Sequence, residues 1–366
     1  MSIFIVSNRR ISDDRKSFSS KNGESAQTNF RIAKCSDAKA QKTLSYKILE
    51  DTTDPDYDKV INVIENRAEI ETLQGTESMF YELYKNMKDD TKKHSDTLFF
   101  IHGFATSHED EKLHILELQH LYIDNDKSPI EHLVYISWPT ANNYVLSYWS
   151  DKNDAMLTGQ ALQRIYYKLS SFMYVLFRKY QNPNCGNKIH LMAHSMGNQV
   201  LGQMLNCLDD EMIIPFLGQI FILHADVDAD IFENDKAFSK LKKLGQRTHI
   251  YVHKSDDALT ISTTTKNFKN RLGKSGPTNI KDFVLELFVV DVTDVKFEAI
   301  KNKSFFENLK LKTLDHWGYL YSKAEINDII AVLNGTDERR IVGRKRHDIY
   351  TNYFYLESEH VVEVIS

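Results

Sequence analysis

The chain has 366 residues, 42% of them apolar and 11% aromatic, enough to bury the core of a sizeable α/β domain. A net charge of −5 and a pI near 6.3 exclude a global attraction to nucleic acid or anionic membrane, so any binding of that kind has to be local. Cys35, Cys185 and Cys207 form no C-x-x-C pair and leave an odd number, the pattern of free thiols in a reducing compartment, and the expected location is cytoplasmic.

The opening run Ile3-Phe4-Ile5-Val6 is too short for a signal peptide and carries its charges after the apolar residues, so it reads as a first strand. Residues 10–29 are polar, and weak strand patterns follow at 30–34 and 44–49. From residue 96 strands at 97–101, 133–137, 189–192, 220–224, 249–253 and 283–290 alternate with helical patterns at 108–123, 154–180 and 197–208. Shorter helices are expected near Phe238 and at 323–333. This alternation predicts an α/β fold, with a mostly parallel central sheet and helices on both faces. The apolar stretch 212–223 is interrupted by Pro215 and Gly218 and is far shorter than the ~20 residues of a membrane-spanning helix, so no transmembrane segment is expected. Past Gly335, a basic group (Arg339, Arg340, Arg344, Lys345, Arg346) precedes an aromatic one, which predicts a C-terminal β-hairpin. The organisation expected is therefore N-terminal strands and a helix over 1–95, joined to the same sheet, a catalytic core over 96–335, and an extension over 336–366.

The most informative segment runs from Lys188 to Asn198, an apolar strand that leads into Ala193-His194-Ser195-Met196-Gly197-Asn198 and then a helical pattern. Ser195 occupies the centre of a G-x-S-x-G-type turn in which Ala193 replaces the first glycine. Small residues are required there because a serine lifted to the end of a sheet takes a strained conformation that crowds its neighbours. A serine nucleophile also needs a base, an acid to orient that base, and amides to hold an oxyanion. Asp256 follows the strand at 249–253, and His316 follows the last core strand; these are the expected acid and base. Asp226, after the strand at 220–224, is the alternative acid. The oxyanion donors expected are the amides of Met196 and Phe104, the latter beside the flexible Gly103.

These residues, with Ile101-His102-Gly103-Phe104, Ser137-Trp138-Pro139, Ala225-Asp226-Val227-Asp228 and Asp256-Asp257-Ala258-Leu259, make the chain resemble the α/β-hydrolase superfamily. Within it, the chain is similar to a largely uncharacterised bacterial esterase/lipase-like group, from which it departs by having Ala225 where a proline is common. The resemblance implies a serine esterase or lipase-like hydrolase acting on small-molecule or lipid esters through an acyl-enzyme, without a cofactor or metal. Trp138 and Trp317 are candidates for the substrate pocket. A binding or scaffold protein that keeps the fold without turnover is the competing reading.

Other motifs fail on their own spacing. Asp226-Val227-Asp228-Ala229-Asp230 is no EF-hand, because Ile231 and Ala237 stand where glycine and glutamate are needed, and Asp230 departs from the phosphoryl-transfer D-x-D pattern. Gly273-Lys274-Ser275 is no phosphate loop, since Phe268 replaces the required glycine. No zinc spacing occurs among the 14 histidines, and no metal is expected. The basic residues from Arg339 to Arg346 are a candidate for peripheral membrane contact, and nucleic acid is not an expected partner.

Overall fold

The computed structural model describes residues 1–19, 24–36, 44–51, 54–88, 94–141, 147–179, 186–262, 269–283, 286–297 and 314–358. Eleven strands form one sheet: β1 (Ser2–Ser7), β2 (Arg31–Cys35), β3 (Tyr46–Ile48), β4 (Asp96–Ile101), β5 (Ile130–Ser137), β6 (Ile189–His194), β7 (Leu217–Leu223), β8 (Gly245–Val252), β9 (Leu287–Asp291), β10 (Arg344–Arg346) and β11 (Tyr353–Leu356). The spatial order is β10-β11-β9-β8-β7-β6-β4-β5-β1-β2-β3. The run from β11 to β1 is parallel throughout, and the antiparallel pairs lie outside it, β10 on one flank and β2 and β3 on the other. The N-terminal strands thus extend the same sheet, and the C-terminal hairpin lengthens it at the opposite edge.

The central strands are apolar on both faces because helices cover both. In β4, Phe99 and Ile101 join a core layer shared with helix α2 (Gly75–Met87), helix α4 (Tyr148–Tyr174) and helix α5 (Gly197–Cys207). Leu98 and Phe100 point the other way, toward helix α3 (His108–Leu118) and the helix Lys323–Leu333. Helix α1 (Tyr57–Ile64) packs in the first layer through Val60, Ile61 and Val63. Local chemistry fixes several boundaries. Ser107 caps α3 by accepting from the amide of Asp110, whose carboxylate returns to the Ser107 amide, and Ser322 caps the helix Lys323–Leu333.

Several boundaries differ from the sequence expectation, among them the strand expected at 283–290, which spans Leu287–Asp291. Among the described residues of the first 95 there are two α-helices, α1 and α2, instead of one. Helix α4 begins at Tyr148, earlier than residue 154, and runs into a π-type turn over Val175–Lys179.

What matters for the site is the reversal of strand order. The chain leaves β4 for β5 on one side and then returns to place β6 on the other, so the segments that leave the carboxyl ends of β4 and β6 diverge. Such a divergence opens a crevice at the carboxyl end of a parallel sheet.

Candidate active site

Ser195 stands at that crevice, between β6 and α5, with φ +52°. A non-glycine residue held there costs on the order of 1–3 kcal/mol, so surrounding contacts must enforce it. Asn198 supplies two of them: its side-chain amide donates to the carbonyls of Ala193 (2.9 Å) and Ser195 (3.2 Å). The Ser195 amide donates to Leu223 O at 3.0 Å, and Ser195 O accepts from the amide of Asp226 at 3.1 Å. Two further residues with positive φ, Ala105 (+54°) and His224 (+43°), lie after β4 and β7, so strain gathers at one end of the sheet.

The loop after β4 touches this turn directly. A Cβ on Gly197 would sit 2.6 Å from His102 O, and one on Gly103 would sit 2.8 Å from Ser195 Cβ. Glycine is therefore required at both positions, whereas Ala193 fits in place of the first glycine of the motif. The loop itself is anchored from below. Trp138 is wholly buried, its indole N–H donates to His102 O at 2.9 Å, and its ring stacks on that of His102 at 5.2 Å. The amide of Met196 has no acceptor among the described residues, while the ring of Phe104 packs 5.9 Å from that of Tyr148.

Behind Ser195, His316 Nδ1 lies 2.7 Å from Asp256 Oδ2. Burial pushes the Asp256 carboxyl up, but the charges of His316 and His224 outweigh it and hold it well below the usual carboxylate range. An ionised Asp256 can only accept, so Nδ1 of His316 carries a proton, which leaves Nε2 as the ring atom that exchanges a proton with a substrate or nucleophile. Asp256 Oδ1 accepts from the amide of Leu259 at 2.9 Å, which holds the carboxylate from its second edge. His194, immediately before Ser195, donates Nε2–H to His316 O at 2.9 Å, and the two rings lie 4.8 Å apart. Burial, then the charges of His316 and His224, lower the pKa of His194 far below its ordinary value, so it is a neutral brace.

The two acid candidates are separated by their partners. Asp226 receives Tyr148 Oη at 2.9 Å and Ser262 Oγ at 2.7 Å and lies 3.5 Å from Arg271 Nε, whereas His316 pairs with Asp256. Trp317 is 4% exposed with its ring 4.5 Å from that of His194, and Trp138 has no exposed surface, so both sit beneath the site instead of lining an open pocket. Sequence reasoning passed over Asn198, His224 and Glu325. Asn198 ended the quoted motif, and His224 read as the last residue of a strand.

The donor atoms of His224, Asp256 and His316 lie within 4.8 Å of one another. Burial lowers the pKa of His224, but the Glu325 charge and the neighbouring Asp256 raise it to about 10, so a metal there would have to displace its proton as well as the Nδ1 proton that His316 gives to Asp256. A separate cavity of about 860 Å³, lined by Phe80, Tyr84, Phe99, Leu169 and Phe216, opens toward the opposite, amino-terminal ends of β4 and β6 and holds none of the candidate residues. Of the basic C-terminal residues, the Arg344 side chain is buried against Asp328, which removes one cation from any surface patch, while Lys345 stays exposed with Glu357 at 2.6 Å. No helix among the described residues is long and apolar enough to cross a membrane.

A family model described as alpha/beta hydrolase of unknown function (DUF900) matches residues 78–316, a span that takes in Ser195, Asp256 and His316. The chain belongs to the DUF900 family. The mostly parallel sheet flanked by helices is therefore an α/β-hydrolase fold, as the sequence predicted. An uncharacterized protein of Nostoc sp. (strain PCC 7120) is 22% identical over 313 residues, covering 74% of this chain and 72% of the relative. No solved structure gives a significant match. DUF900 carries no assigned activity, so hydrolysis is the class that membership supports, and the bond cleaved is left to the chemistry of the site.

Proposed function

We propose that this DUF900 protein is a serine hydrolase that cleaves carboxylic esters, lipid esters among them, through an acyl-enzyme. Support comes chiefly from one observation: the His316–Asp256 pair at 2.7 Å packs against the residue that precedes a serine held at φ +52°. In the proposed cycle Ser195 Oγ attacks the ester carbonyl while His316 Nε2 takes its proton, and Asp256 holds the ring through Nδ1–H and stabilises the cation that forms. The oxygen of the tetrahedral adduct would be held by the amides of Met196 and Phe104, and removal of one such donor costs roughly 10²- to 10³-fold in turnover. His316 then returns the proton to the departing alcohol, and water, deprotonated by the same ring, releases the acid. No cofactor is invoked. Ser195 Oγ makes no hydrogen bond among the described residues, and in an unliganded hydrolase this contact often tightens only when substrate arrives.

The assignment of a reducing, cytoplasmic setting is likewise ours, and it rests on the free thiols Cys35 and Cys207. Cys185 lies outside the described residues. A fluorophosphonate probe tests the nucleophile: it should label the wild type and spare Ser195→Ala. Equal labelling of the two would leave the fold as a binding scaffold. Turnover of aryl esters of increasing acyl length then separates a small-ester enzyme, whose rate falls beyond short chains, from a lipase, whose rate rises.

A further inference from the structure

Asp256 faces a second imidazole. His224 Nδ1 lies 3.7 Å from Asp256 Oδ2, an ion-pair distance, and the other ring nitrogen, Nε2, is 3.2 Å from Glu325 Oε1. All three side chains are fully buried. Glu325, His224, Asp256 and His316 therefore form a continuous buried row whose last ring packs against His194, the residue before Ser195.

We infer that His224 and Glu325 are a positioning pair for the proposed hydrolytic site: Glu325 anchors the His224 ring, and that ring stands as the counter-ion behind Asp256, fixing the carboxylate toward His316. This rests on the assignment of Ser195, His316 and Asp256 made above. Three observations carry it. His224 is held at φ +43°, a strained conformation that surrounding contacts must enforce. Glu325 occupies the space a side chain at position 318 would need, since a Cβ on Gly318 would lie 1.9 Å from Glu325 Oε2. Gly318 follows His316 and Trp317 in the chain, so the same carboxylate also sets the register of the turn that presents His316. The pair adds one positive and one negative charge, and their mutual attraction offsets part of the cost of burying each ion.

The groups that face His224 are Glu325 from the helix Lys323–Leu333, Asp256 and His253 from the end of β8 and its loop, His316 from the turn Leu314–Trp317, and His194 from β6. A cation held by Glu325 in this company is the stable form, in keeping with the upward shift of its pKa to about 10.

Nitrogen-15 titration of the imidazoles tests the charge state without substrate. Both ring nitrogens of wild-type His224 should stay protonated from about pH 6 to about pH 9, and Glu325→Gln should bring deprotonation into that window. A wild-type His224 with one bare nitrogen across the window overturns the inference. Ester turnover and fluorophosphonate labelling read the consequence for chemistry. His224→Gln should lower kcat by up to about 100-fold with KM held, the size expected of a misplacement near 1 Å. It should also move the acid limb of kcat/KM to higher pH, because the site loses a cation and keeps two carboxylates. Glu325→Asp, which retains the charge, should keep more of kcat than Glu325→Gln. If labelling requires Ser195 but kcat and the pH profile are unmoved in both His224→Gln and Glu325→Gln, the positioning role falls and hydrolysis stands. If labelling does not require Ser195, hydrolysis falls and this role with it.

Discussion

Replacing Asp256 by asparagine, beside the same change at Asp226, distinguishes the two acids by a wide margin. Asp256 is fully buried and accepts at both oxygens, from His316 Nδ1 at 2.7 Å and from the amide of Leu259 at 2.9 Å. An asparagine offers one acceptor and one NH2. With its oxygen toward Leu259, the NH2 faces His316 Nδ1 and forces the proton onto Nε2, the tautomer that cannot accept from Ser195. With its oxygen toward His316, a buried backbone N–H loses its acceptor, at a cost of roughly 1–3 kcal/mol. The first arrangement is the cheaper, and the same change in a characterised triad lowers kcat by about 10⁴, or about 5.5 kcal/mol of transition-state stabilisation. At Asp226 the donors are the hydroxyls of Tyr148 and Ser262, which can rotate to suit an amide, and Arg271 keeps Asp228 at 2.8 Å. Asp226→Asn should therefore stay within about tenfold of wild-type kcat. Steady-state turnover of an aryl ester, with thermal midpoints to verify folding, provides the comparison. A larger fall in kcat for Asp226→Asn than for Asp256→Asn would refute the assignment of the acid.

Alkaline stability reports on His224 independently of turnover. Its folded pKa is raised from 6.5 to about 10, so its contribution is fully present below about pH 6.5 and is lost as the pH rises through about 10. Wild-type unfolding free energy should fall across that window by up to about 1.4 kcal/mol per pH unit, and the slope should flatten in His224→Gln; parallel curves would assign the slope to another group. At the turn, Gly197→Ala places a Cβ 2.6 Å from His102 O and 2.7 Å from Ile101 O, both rigid backbone atoms. The loop after β4 has to move, so kcat should drop by about 100-fold with the melting point lowered. An active, unshifted variant would mean that the loop and the turn do not need this contact.

How far the sequence revealed the molecule follows from the strength of its local signals. The strand and helix around Ser195 were legible because an unbroken apolar run gives way to a sharp 3.6-residue period, and the helix expected at 323–333 has those bounds in the structure. Helix α4 was predicted to start late because Ser147 makes no capping bond and the aromatic Tyr148 and Trp149 carry no helix-start signal. Helices α1 and α2 were not located, although Val60, Ile61 and Val63 in one and Met79, Phe80, Leu83, Tyr84 and Met87 in the other carry a helical spacing. At the site, Ser195, Asp256 and His316 follow strand ends and could be named in order. His224 could not, because a histidine at the end of an apolar strand carries no mark of a partner that lies about a hundred residues further on, and Glu325 reads as an ordinary acid in a first helical turn.

The outermost strands, β3 and β10, are only three residues long, with Lys47 exposed on one and Lys345 and Arg346 on the other. Each rim thus offers few free backbone groups, and cations guard them. Two molecules approaching rim to rim would set like charges against each other before a ladder could close. A sheet this broad can then remain a discrete particle at high protein concentration, and neutralising those lysines and arginines is the change that would let it grow into larger assemblies.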